Sequence, residues 1–144
     1  MDEIWFHHVG VSVADLDAAI AWWERMLGFR VARRYRLESI PAEIAVLGNG
    51  ALHVELFRPD AIGAKSEDRG VPDLDVLTPG NKHVAFCVAD VRATVSRLEE
   101  RGVEVAWIKD FPDGRSASYI RDNEGNLIEF VQWPKVEAGT AYVP

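Results

Sequence analysis

Four side chains with metal-ligating chemistry recur at equivalent places in this chain: His8 and Glu55 in its first half, His83 and Glu129 in its second. The histidines open matching stretches, His8-Val9-Gly10-Val11-Ser12-Val13-Ala14-Asp15 and His83-Val84-Ala85-Phe86-Cys87-Val88-Ala89-Asp90, which share His-Val and Val-Ala-Asp in register. The glutamates correspond after a single-residue slip in the intervening helix. Two imidazoles and two carboxylates form a mixed N/O donor set that suits one divalent ion, with coordination positions left for water or substrate. A closed structural zinc site prefers thiolates, and Cys87 is the only cysteine. Mn, Co, Ni, Fe or catalytic Zn all remain open. A lone strand histidine is ordinarily a core or surface residue, but four ligand-type residues at matching places in two repeats predict two half-sites facing one cavity.

The elements that must position these groups follow from periodicity. Ile4 to Val13 alternates as a strand, with His8, Gly10 and Ser12 on one face and His7 on the other. Asp15 reads as a helix N-cap, Leu16, Ile20, Trp23 and Leu27 as the helix's apolar stripe, and Gly28 as its end. Phe29 to Leu37, Glu43 to Leu47 and Ala51 to Phe57 read as strands, the last two joined at Gly48-Asn49-Gly50. His53, Glu55 and Phe57 share a face. The second half repeats this order: a strand from His83, a helix capped by Asp90, then strands Val103 to Trp107, Ser116 to Arg121 and Asn126 to Gln132. Module one is thus 4–58 and module two 82–133, joined by a crossover at 59–81 that is rich in Pro and Gly, with a tail at 134–144. So long a connection is either a cover for the site or a solvated linker. The small residues Gly10, Ser12, Ala85 and Cys87 on the histidine faces suit a cleft better than a packed core.

Composition bounds the remaining possibilities. The 144 residues (48% apolar) make one globular domain, and no apolar run approaches a membrane span. A formal charge of −7 without a Lys/Arg cluster argues against nucleic acid as a partner. The start Met-Asp-Glu lacks the pattern of a secretion signal, so a cytoplasmic location is expected. Cys87 cannot form an internal disulfide and reads as a small buried residue.

The stretch from His8 to Asp15, Glu55-Leu56, His83-Val84-Ala85-Phe86 and Asp122-Asn123-Glu124-Gly125-Asn126-Leu127-Ile128-Glu129 together resemble the vicinal oxygen chelate superfamily. That superfamily includes glyoxalase I, methylmalonyl-CoA epimerase, extradiol dioxygenases and antibiotic-resistance proteins. The resemblance spans about residues 4 to 133. It implies an α+β fold of two paired βαβββ modules, forming a cup-shaped mixed sheet with helices outside. It also implies one divalent metal held by His8, Glu55, His83 and Glu129, and a homodimer. The likeness is strongest to the epimerase and glyoxalase I-like branch. The epimerases carry a catalytic glutamate on the strand before the second ligand, and Ala42-Glu43-Ile44 stands at the matching place. Glu55 follows the glyoxalase pattern, where the epimerase often has glutamine.

The expected activity is that of a divalent-metal-dependent isomerase, epimerase or lyase on a small carbonyl compound. A metal chelating two vicinal oxygens stabilises an enolate, and carboxylates move the proton, with Glu43 as base and Glu129 as second partner. Glu43 reads equally as an exposed strand carboxylate. The alternatives are an Fe(II) extradiol-type dioxygenase built on His8, His83 and Glu129, and a small-molecule binding or resistance protein without turnover. His53, Trp107, Arg115 and Tyr119 are weaker substrate-binding candidates. For these, packing, rim and turn roles explain the residue types as well. Arg33, Arg34 and Arg36 read as a solvated strand edge, and Trp22 as exposed or at a subunit contact.

Overall fold

The computed structural model describes residues 3–134; the proposed tail lies outside them apart from Pro134. The fold is α+β, two βαβββ modules each built on its own four-stranded mixed sheet. In the first, β1 (Val9–Ser12) is followed by α1 (Leu16–Leu27), β2 (Arg30–Leu37), β3 (Ala42–Asn49) and β4 (Leu52–Pro59), in the sheet order β1-β4-β3-β2. The first strand runs parallel to the last, which requires the helical crossover between them. The second module repeats this with β5 (Val84–Cys87), α3 (Val91–Glu99), β6 (Val105–Asp110), β7 (Ser116–Arg121) and β8 (Leu127–Gln132), in the order β5-β8-β7-β6. The chain forms two compact units, one running through Lys65 and taking in Asp122–Glu124, the other formed by Ser66–Arg121 and resuming at Gly125. No helix among the described residues is long and apolar enough to cross a membrane.

Each helix begins where the repeated aspartate predicts. Asp15 is extended at φ −122° and accepts the Ala18 N–H at 3.0 Å; Asp90 does the same for Ala93 at 2.8 Å. These bonds satisfy amides that the first turn leaves without intrahelical partners. Gly28 ends α1 at φ 71°, the left-handed cap in which a Cβ would be strained. A second acid serves α1 as well: the Glu124 carboxylate accepts the Ala14 N–H at 2.7 Å and the Asp15 N–H at 2.8 Å. Glu124→Ala is expected to lower stability by about 1–2 kcal/mol, the range for a charge-assisted bond near the surface. Urea unfolding measures it, and an unchanged midpoint would refute the role.

The face of the first sheet that bears Ala45, Leu47, Val54 and Leu56 is buried, and α1 packs on β3 and β4. Trp22 and Trp23 are both buried, contrary to the expectation for Trp22, which is only 7% exposed. The two indoles meet edge-on with centroids 5.9 Å apart, and Trp23 meets Phe29 in the same way at 5.2 Å.

Two expectations about chain path need correction. The first strand starts at Val9, not Ile4, and Ile4, Trp5 and Phe6 are exposed. The crossover also holds structure of its own, a 3-10 turn at Glu67–Gly70 and a short helix α2 (Pro72–Asp75) with proline in its first turn. Asp75 of that helix points inward while Leu74, and Val76 and Leu77 just after it, lie exposed, the reverse of an amphipathic pattern.

Candidate functional site

Register decides which side chains share a face. Residues directly opposite in neighbouring strands point to the same side, and successive residues alternate. In the first sheet Gly10 pairs with Glu55, Glu55 with Val46, and Val46 with Arg33. In the second the equivalent row is Ala85, Glu129, Tyr119 and Trp107. Glu55 therefore stands on the sheet face opposite Ala45, Leu47, Val54 and Leu56, and Glu129 on the face opposite Ile120, Ile128 and Phe130. Gly10 serves this face by letting the chain pass close to an aromatic ring, since a Cβ there would come 3.0 Å from Phe57 Cε2.

Within the first unit His8 Nε2 lies 3.1 Å from Glu55 Oε2. The Tyr35 hydroxyl, on β2, donates to the other oxygen, Glu55 Oε1, at 2.7 Å. That bond, more than burial, raises the Tyr35 pKa. The Arg33 guanidinium lies over the Tyr35 ring at 4.7 Å. His7 does not point away from His8: their Nδ1 atoms are 2.6 Å apart, and the His7 ring also stacks near His53 at 6.2 Å. Strand alternation fails as a guide to this pair because both residues precede β1.

Within the second unit His83 Nε2 lies 3.0 Å from Glu129 Oε2. Here the phenol comes from β7 and meets the histidine, with Tyr119 Oη 3.1 Å from its ring nitrogens. Burial, followed by the negative charges of Glu129 and Asp75, pushes the Tyr119 pKa up to about 12. Tyr119 is therefore a neutral hydroxyl throughout the physiological range. The Trp107 ring packs edge-on against Tyr119 at 4.7 Å, and Lys109 Nζ sits 4.3 Å from the Trp107 centroid. Arg115, Phe111 and Trp133 border a cleft of about 330 Å3 on the Glu129 face. Cys87 is exposed on this face rather than buried as expected.

Glu43 is placed elsewhere. It is opposite Arg58 and Arg36 in the sheet and shares its face with Ala45 and Leu47, away from Glu55. Its carboxylate accepts from Arg34 Nη2 at 3.3 Å, and Asp17 accepts from the same guanidinium at 2.6 Å. The role of base that the family resemblance implied for Glu43 thus fails on geometry, because the residue stands on the helix-bearing side of the sheet.

The paired donors fit a divalent cation. Ligands at about 2.0–2.2 Å from a common ion, at right angles, stand about 3 Å from each other. Both His–Glu separations have this value, and the same spacing serves a charge-assisted hydrogen bond when no cation is bound. Within each unit the donors meet as a pair; among the described residues no group of three or more His, Cys, Asp or Glu side chains suited to a metal is formed. Sequence reasoning missed Tyr35, because β2 reads as a run of arginines in which one tyrosine carries no signal of its own. It also missed Trp133, which follows the last strand.

Comparison with known proteins agrees with this architecture. Residues 7–119 match the family model of the Glyoxalase/Bleomycin resistance protein/Dioxygenase superfamily. The chain is 27% identical over 132 residues to the uncharacterized protein YwbC of Bacillus subtilis (strain 168), covering 87% of this chain and 94% of that protein. The crystal structure of a glyoxalase family protein from Bacillus cereus superposes with a TM-score of 0.72 at 26% identity, over 92% of this chain and 95% of that one. Lactoylglutathione lyase from Agrobacterium tumefaciens shares the fold, with a TM-score of 0.61 at 22% identity over 87% of this chain and 91% of its own. A family match across most of the chain, on a fold of two βαβββ modules that each present a His–Glu pair, has one reading: this chain belongs to the glyoxalase/bleomycin resistance protein/dioxygenase superfamily.

Proposed function

We infer that the protein is a divalent-metal-dependent isomerase, epimerase or lyase acting on a small carbonyl compound by carboxylate-mediated proton transfer. The observation that carries this reading is the duplicated His–carboxylate pair, His8–Glu55 at 3.1 Å and His83–Glu129 at 3.0 Å. Family membership supports it, as does the likeness in fold to a lactoylglutathione lyase. His8, Glu55, His83 and Glu129 are the proposed ligands. When bound, the ion supplies Lewis-acid polarisation of the substrate's oxygens, which acidifies the neighbouring C–H bond.

The chain's own residues do the rest. Glu129 lines the cleft of the second unit, and in this reading it is the carboxylate that loosens from the ion to take a proton from carbon and return it. Its partner His83 is fixed on its other flank by Tyr119, whose hydroxyl keeps its proton at neutral pH. Tyr35 fixes Glu55 in the first unit by donating to the oxygen that His8 does not meet. Such outer contacts orient a ligand and hold its donor atom in place.

Two measurements test the reading together. Protein purified without chelators is expected to carry one divalent ion per chain, lost alike in His8→Ala and His83→Ala. The loaded protein is expected to exchange one carbon-bound hydrogen with deuterated water for some member of a panel of 2-oxo acids and thioesters. Metal retained in both variants would remove the ligand assignment, and absence of exchange across the panel would remove the reaction type.

A further inference from the structure

The cleft beside Glu129 carries a cation whose bonding is incomplete in a particular direction. The guanidinium carbon of Arg115 lies 5.2 Å from the centroid of Phe111 and 5.2 Å from that of Trp133. The turn that carries it is closely tied. Phe111 N–H donates to Arg115 O at 2.9 Å, and Gly114 N–H donates to Phe111 O at 3.0 Å. Gly114 holds φ 85°, and a Cβ there would also come 3.2 Å from Pro134 Cγ, so the position takes glycine. Asp113 accepts from the Arg115 backbone N–H at 3.1 Å and from its Nε at 2.7 Å. That bond occupies the Nε edge and leaves both terminal NH2 groups without a hydrogen-bond acceptor among the described residues. The floor of the cleft is small, with Ala85, Cys87 and Ala117 on the same sheet face as Glu129.

We propose that Arg115 is a specificity-determining residue that receives a carboxylate, so that the cleft takes a compact carbonyl compound carrying one carboxylate and a flat or apolar side group. This rests on the carbonyl-isomerase reading and adds the substrate class to it. Three physical points carry it. A guanidinium presents paired donors whose planar geometry matches the two oxygens of a carboxylate, and here one pair is free. The flanking Phe111 and Trp133 rings, each 5.2 Å from the guanidinium carbon, hold the cation at the cleft while its side chain stays 39% exposed and open to an incoming anion. The chain's formal charge of −7 offers anions no general attraction, so a preference for an anion must be local to such a group. A volume of about 330 Å3 lies at the small end for ligand pockets and suits a compact molecule rather than a long carrier conjugate.

Phenylpyruvate and its methyl ester are suitable probes, being alike except for the charge. Titration calorimetry on the full metal-loaded chain is expected to show the acid binding at least about tenfold more tightly than the ester. Arg115→Gln is expected to remove about 10- to 100-fold of the acid's affinity and leave the ester within about twofold, with Arg115→Lys recovering only part because it lacks the paired donors. Equal affinity for acid and ester in the wild-type protein overturns the proposal even if the glutamine variant does not fold. So does undiminished binding of the acid by a folded Arg115→Gln. Deuterium exchange over the panel is read separately. Selective loss of the acid with no exchange from any compound upholds the carboxylate subsite and overturns the isomerase reading, whereas exchange with acid and ester binding alike does the reverse.

Discussion

Under the proposed function, Glu129→Gln is expected to lower the rate of substrate-dependent hydrogen exchange by about 10²–10⁴-fold, the usual contribution of a positioned acid–base group. The substitution keeps the size of the side chain and removes its charge, so the cleft keeps its shape while its proton acceptor is lost. Glu129 also meets His83 Nε2 at 3.0 Å, and an amide there changes what the histidine faces. Metal content measured on the same sample separates the two effects. A variant that holds its full complement of metal and still fails to exchange has lost the base, while one that loses both has lost a ligand. Glu43→Gln serves as the control, because that carboxylate lies on the other side of its sheet and pairs with Arg34. Exchange at the wild-type rate in Glu129→Gln, or an equal loss in Glu43→Gln, would refute the assignment.

The contrast between these two glutamates marks how far the chain could be read without coordinates. The repeat alone places His8 near Glu55 and His83 near Glu129. A strand–helix–strand–strand–strand unit returns its last strand beside its first, and each histidine enters the first strand two residues before the partner of the glutamate. Helix limits were equally legible, because Asp15, Gly28 and Asp90 each have a local chemical reason to stand at an end. Glu43 was not legible, because its side depends on register, and register depends on the closing turn. The hairpin closes at Asn49 and Leu52 around a two-residue turn with Gly50 at φ 59°. That turn sets Val46 opposite Glu55 and sends Glu43 to the opposite face. A turn one residue longer would have reversed the result.

The crossover was the least legible part, since its order depends on an acid for which neither periodicity nor hydropathy gives a reason. Asp75 is 1% exposed, at the end of a four-residue helix. Arg69 Nη1 reaches its Oδ1 at 2.9 Å, and Lys82 Nζ lies 3.6 Å from the same oxygen. The two cations also tie down the loop: Arg69 donates to the Asn81 carbonyl at 2.7 Å, and Lys82 to the Asp75 carbonyl at 2.8 Å and to that of Thr78. Their exposure differs from that of the acid, with the Arg69 side chain 33% and Lys82 23% accessible. The cost of breaking the cluster is therefore unequal in its two directions.

Asp75→Asn leaves two cations that water can reach, and about 1–2 kcal/mol of stability is expected to be lost. Arg69→Met with Lys82→Met leaves a carboxylate buried without a counter-charge, and about 3–5 kcal/mol is expected, the range for an uncompensated buried ion. Urea unfolding of the two variants beside wild type measures the order, and an Asp75→Asn loss equal to or above that of the double variant would show that the acid is not the dependent partner. Lys82 directly precedes His83, so the same cluster fixes the point at which the chain enters β5. Under the proposed function, the double variant is accordingly expected to lose metal affinity at temperatures where it remains folded, and Asp75→Asn is expected to do so to a smaller degree. A segment that reads as a linker rich in proline and glycine is thus tied, through Asp75 and Lys82, to the residue that directly precedes the second histidine.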